Sequence, residues 1–127
     1  MDVTPLIRRD QQVIQSYSNG VFKVSDVTYD QAVLVMPDET CTWNVDQGVG
    51  VSDLTLDDFS YLIERAADID VVLLGCGKKM ELMPPILRSD LKNAGLSVDI
   101  MDTGAACRTY NVLMAEGRRV FCALLPA

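Results

Sequence analysis

The chain has 127 residues, 49% hydrophobic and 23% charged, the size and composition of one globular domain over residues 1–127. Eleven basic against eighteen acidic residues leave a net charge of −7, which argues against nucleic acid, because phosphate neutralisation needs a basic face. With no histidine, the chain alone builds no Ser-His-Asp or Cys-His arrangement and lacks the commonest metal ligand.

Met1 to Pro5 lacks the basic and apolar regions of a signal peptide, and no Arg-rich transit peptide precedes the first elements. The longest apolar runs, such as Val71 to Leu74, fall far short of the roughly 20 residues of a membrane span. A cytoplasmic protein with no integral membrane segment is expected. The four cysteines, Cys41, Cys76, Cys107 and Cys122, form no C-x-x-C pair. They are read as reduced, small core residues, and neither a metal nor a cofactor is expected.

In chain order, Asn19-Gly20 lies between two alternating apolar segments and predicts a hairpin whose turn needs φ > 0 at both central residues. Val27 to Met36 follows, with QAVLVM as a buried strand, and Pro37-Asp38-Glu39 makes a turn. Thr40 to Val45 predicts a further strand carrying Trp43, so the first third reads as an antiparallel meander. Thr55, with Asp58 three residues on, predicts a helix start. Leu56, Phe59, Leu62, Ile63 and Ala66 then make an apolar stripe at helical spacing. Asp70 to Leu74 is apolar on both faces, as in a covered central strand. Pro84-Pro85 opens a helix that Gly95 closes, and Leu96 to Met101 is a strand. Thr103 is expected to cap a helix running through Glu116 to Gly117, with Arg118 and Arg119 suited to its negative end. Val120 to Leu125 is the last strand, and the apolar tail either completes the sheet or forms a sticky edge. Strand and helix alternate through the second half, which predicts a parallel or mixed sheet with helices packed on it.

The loop after Leu74 resembles a phosphate cradle but lacks its parts. A dinucleotide fingerprint has a third glycine where this chain has Met80, and a Walker loop ends in G-K-[ST], not Gly77-Lys78-Lys79. Pro84 and Pro85 remove N–H groups from the helix start. What remains is a Gly-flanked turn, or a small nest of the Cys76 to Lys79 amides assisted by Lys78 or Lys79. Cys76 sits beside two lysines at the carboxyl end of a strand, yet no histidine is available to activate it. The loop beginning at Asp102 follows the neighbouring strand, so both loops are expected on one edge of the sheet. The candidate crevice therefore contains Gly75, Cys76, Gly77, Lys78, Asp102, Thr103, Cys107, Arg108, Tyr110 and Asn111. Two readings stand for the Thr109-Tyr110-Asn111 cluster: a binding crevice, or a polar pin that fixes the helix. Trp43 and Phe59 are read as core or interface, and Asp53, Asp57 and Asp58 as caps and a solvated face.

GCG after VVLL, then MDTGAACRTYNVLMAEGRRV, with an upstream VLVMPD and Trp43, resembles a small domain family. It is the one shared by mitochondrial complex I (NADH:ubiquinone oxidoreductase) assembly factor 3 and many uncharacterised bacterial proteins. The resemblance runs from about Ile14 to Leu125 and is most specific over Thr103 to Asn111 and Glu116-Gly117-Arg118. The family usually has Gly-Thr-Gly in place of Gly75-Cys76-Gly77, which favours packing over an obligatory thiol nucleophile. Lys78-Lys79-Met80 also departs from its arginine-bearing loop. The resemblance implies a three-layer α/β fold around a mixed sheet, with an additional N-terminal β-meander to one side. It implies no established enzymatic activity. It implies protein partners, respiratory complex subunits or other assembly factors, with peripheral association at the inner membrane. A small-molecule or anion-binding protein, or an enzyme, using the crevice is the alternative.

Overall fold

The computed structural model describes residues 11–46 and 48–127. The Met1 to Pro5 stretch lies outside the described residues. Among the described residues, eight strands form two sheets. β1 (Ile14–Ser16), β2 (Phe22–Val24) and β3 (Val27–Tyr29) make a three-stranded antiparallel sheet. β4 (Val33–Val35), β5 (Thr40–Thr42), β6 (Val71–Gly75), β7 (Val98–Met101) and β8 (Val120–Leu124) make a five-stranded mixed sheet in the order β5-β4-β8-β6-β7. β8 runs antiparallel to β4 and parallel to β6, so the last strand lies between the two halves of the chain.

The expected meander is therefore divided between two sheets. Asn19 and Gly20 both have positive φ, 58° and 74°, and Val21 N–H donates to Ser18 C=O across them, as the hairpin signal predicts. The stretch read as Val27 to Met36 breaks into β3 and β4. A second tight turn, at Ser25 and Asp26 with φ 44° and 72°, joins β2 to β3. β4 then leaves for the main sheet and pairs with β5. The strand expected to reach Val45 ends at Thr42, and Trp43 lies just past it.

The main sheet is covered on both faces because its inner strands are apolar at every position. Val72, Leu74 and Cys76 pack toward α2 (Pro85–Asn93) and the segment around α1 (Ser60–Ile63). Leu73, Cys122 and Leu124 pack toward α3 (Thr103–Ala115) and the small sheet, through Phe22, Val24, Tyr110 and Met114. This is the expected three-layer α/β arrangement. Trp43 and Phe59 belong to the first core, edge to face at 5.5 Å. Leu124 and Leu125 are buried, so the apolar tail completes the sheet rather than exposing an edge.

The stripe from Leu56 to Ala66 is apolar as read, but it does not form one helix. It comprises a 3-10 turn at Leu56–Phe59, the single turn of α1, and a second 3-10 turn at Ala66–Asp68. The Trp43 indole N–H donates to Asp58 C=O at 2.7 Å, where it competes with the Leu62 N–H that a continuous α-helix would place there. Asp58 does cap the segment, accepting from Thr55 N–H at 2.8 Å. α2 ends in a Schellman arrangement. Gly95 has φ 93°, Gly95 N–H donates to Lys92 C=O, and Leu96 N–H donates to Leu91 C=O. α3 ends the same way at Gly117. Arg119, just beyond, is paired with the Asp70 carboxylate at 2.9 Å, at the entry to β6.

Candidate functional site

β6 and β7 are parallel neighbours, so the loops after Gly75 and Met101 emerge on one edge of the sheet. Thr103 joins them. Its buried hydroxyl accepts from Gly77 N–H at 2.9 Å and donates to Leu125 C=O at 2.7 Å. Its own N–H donates to Gly77 C=O at 2.9 Å. Three chain segments thus meet on one side chain. Gly75 is required beneath it, because a Cβ there would stand 2.9 Å from both the Thr103 hydroxyl and a Leu124 methyl.

Thr103 is not the cap of α3. That role falls to Asp102, whose carboxylate accepts from Ala105 N–H at 2.9 Å. The sequence places two good capping residues in succession. Burial assigns the acid to the cap and the threonine to the interior.

The proposed nest of Cys76 to Lys79 amides is already occupied in part. Cys76 N–H is bound to Met101 C=O and Gly77 N–H to Thr103. Gly77 does have φ 105°, so the Gly-flanked turn is the reading that fits. Cys76 does not line the α3 side of this edge. It is buried on the α2 side of the sheet, where its thiol donates to Lys79 C=O at 3.1 Å and accepts from Glu81 N–H at 3.3 Å.

A cavity of about 290 Å³ opens beside the start of α3, lined in part by Gly77, Lys78, Asp102 and Arg108. Of the ten crevice candidates, these four are brought together there. Sequence reading missed Tyr17, Ser18 and Asn19, which form its other wall. Tyr17 accepts a hydrogen bond from Arg108 Nη1 at 2.8 Å. Its ring also lies over Gly104, where a Cβ would approach Tyr17 Cε2 to 3.0 Å. The one available signal was the Asn19-Gly20 turn next to Tyr17, which says nothing about which helix it touches.

The remaining candidates face the core or the small sheet. Cys107 is buried, and burial pushes its thiol pKa up to about 12. Cys122 is likewise raised by burial. Tyr110 is buried, its hydroxyl donating to Gln12 C=O at 2.9 Å. Asn111 Nδ2 donates to Ile14 C=O at 2.8 Å, and Asn111 Oδ1 accepts from Ile14 N–H at 3.0 Å. Both residues pin α3 to the segment at β1, as the second reading of that cluster has it. Among the described residues no group of three or more His, Cys, Asp or Glu is placed to hold a metal. No helix among them is long and apolar enough to cross a membrane.

A family model described as a protein of unknown function (DUF498/DUF598) matches residues 14–125. The NADH dehydrogenase (ubiquinone) 1 alpha subcomplex assembly factor 3 of Danio rerio is 35% identical over 114 residues, 90% of this chain and 64% of that protein. The chain thus spans under two thirds of that relative's length. An uncharacterised protein of Rhodobacter capsulatus is 31% identical over 113 residues, 89% of this chain and 83% of that one. The crystal structure of an outer membrane protein from Bartonella henselae is similar, with a TM-score of 0.80 at 33% identity, covering 93% of this chain and 97% of that one. These matches bear out the resemblance carried by the Thr103 to Asn111 stretch.

Proposed function

This chain belongs to the DUF498/DUF598 family, and on that premise we propose that it is a non-enzymatic protein-binding domain that assists assembly of a respiratory membrane complex. The observation that carries this reading is the 35% identity, over 90% of the chain, to an assembly factor named for NADH dehydrogenase. The side chains support it. Cys76 is bound on both sides by backbone groups, and burial holds the thiols of Cys107 and Cys122 protonated, so none is poised as a nucleophile. Its partners are respiratory complex subunits or other assembly factors, met from the cytoplasm at the inner membrane surface. Affinity capture with a tagged full chain, followed by mass spectrometry, tests this. Enrichment of membrane-complex subunits or a second assembly factor is expected. Repeated recovery of background alone overturns it.

A second reading, a small anion held beside α3, is favoured by Lys78 and Arg108 lining one cavity. A thermal-shift screen of phosphate and carboxylate metabolites should then raise the melting temperature, and the rise should vanish in Arg108→Ala. A flat screen leaves only the assembly reading.

A further inference from the structure

β7 is an edge of the five-stranded sheet, with β6 on one side and, among the described residues, no strand on the other. Its inner side is committed. Val72 N–H donates to Ser97 C=O at 2.8 Å and Cys76 N–H to Met101 C=O at 2.9 Å. Backbone polar groups of alternate strand residues point to opposite sides. Ser97, Asp99 and Met101 therefore address β6, while Val98 and Ile100 present their N–H and C=O groups outward.

Beside this edge a groove of about 510 Å³ runs between α2 and the start of β7. Met83, Leu91 and Leu96 line it and are buried; Arg88 and Lys92 line it and are exposed. Open strand groups beside a groove with an apolar floor and a basic wall are the elements of recognition by strand addition. The basic wall also stands out on a chain whose net charge is −7.

We propose that β7 accepts an extended segment of a partner protein as a sixth strand, with apolar and acidic side chains toward the α2 groove. Side chains of an added strand alternate between faces. The segment's other face meets the side of the sheet where Asp99 is exposed, and a lysine or arginine suits that position. This rests on the protein-binding reading above and names the surface and the chemistry of the partner.

A second copy of the chain is a poorer occupant. The antiparallel register that satisfies Val98 and Ile100 of both copies sets Asp99 opposite Asp99. Like charges directly opposite destabilise such a pair.

Selection of random decapeptides displayed on phage against the full chain tests the proposal, with the best binder synthesised and titrated by NMR. The expected sequence alternates, with apolar and acidic residues on one face and a basic residue on the other. Its binding should slow solvent exchange of the Val98 and Ile100 amides. Reversal of the wall in Arg88→Glu/Lys92→Glu should weaken it about tenfold or more. Ile100→Pro deletes an outward donor that β6 does not use and should weaken it similarly. If that variant does not fold, the exposed-charge double variant decides. The proposal is overturned if no peptide is enriched, if binding perturbs amides away from β7, or if the double variant binds as well as wild type. Dimerisation through β7 would overturn it in favour of a second copy. Should affinity capture recover the same partners with the double variant, the edge proposal falls and the assembly reading stands.

Discussion

Thr103 looks like a helix cap in the sequence, and its neighbour Asp102 looks like a loop residue. The structure exchanges the roles because Leu125, 22 residues away, brings a carbonyl to the hydroxyl. No local pattern announces such a partner. Thr103→Val keeps the shape and deletes the hydroxyl, leaving Gly77 N–H and Leu125 C=O unpaired in the interior. Stability should fall by about 2–3 kcal/mol, read from urea unfolding, with Thr103→Ser much closer to wild type. Cys107 makes a prediction in pH. Its folded thiol titrates at about 12, against about 8.5 for the unfolded chain. Between those values the unfolded state binds fewer protons than the folded one, so stability falls as pH rises. The urea midpoint should therefore decline above about pH 8.5, and the decline should be shallower in Cys107→Ala.

At the scale of elements, turns and caps were the legible part. The Asn19-Gly20 turn, the Pro84-Pro85 helix start and the Gly95 and Gly117 stops all follow from backbone rules that act within a few residues. The 56–66 stripe was legible as an apolar segment, with Phe59 and Leu62 buried and Leu56 exposed, but not in its backbone form, because Trp43 reaches Asp58 C=O from outside the segment. The Ser25-Asp26 turn was missed because neither residue is glycine, although aspartate tolerates positive φ better than most. α3 offers a direct measurement. Asp102→Ala removes the acceptor of Ala105 N–H and should cost about 1 kcal/mol. Because Asp102 also lines the cavity with Lys78 and Arg108, Asp102→Asn, which retains a capping oxygen, separates loss of the cap from loss of charge.

Across the whole molecule, alternation of strand and helix pointed to a mixed sheet, but strand order lay beyond it. Nothing in periodicity says that the last strand enters between β4 and β6 or that the first five strands divide between two sheets. Of the candidate crevice, Gly77, Lys78, Asp102 and Arg108 could be placed together from loop positions alone. The Tyr17 wall depends on how the small sheet docks. The same layering predicts an order of opening. β6 and β8 are flanked on both sides within the sheet and covered on both faces, so their amides should exchange slowest. The small sheet should open at lower free energy, and native-state hydrogen exchange would show Phe22 to Tyr29 released before Val71 to Gly75. Asn111 matters here for more than anchoring. Its carboxamide occupies both polar groups of Ile14 on β1, the places a neighbouring strand would take. Asn111→Ala should therefore leave both polar groups of Ile14 without that partner and quicken exchange of the Ile14 amide, read by native-state hydrogen exchange; a single side-chain amide closes one rung on the outer side of β1 as a strand would.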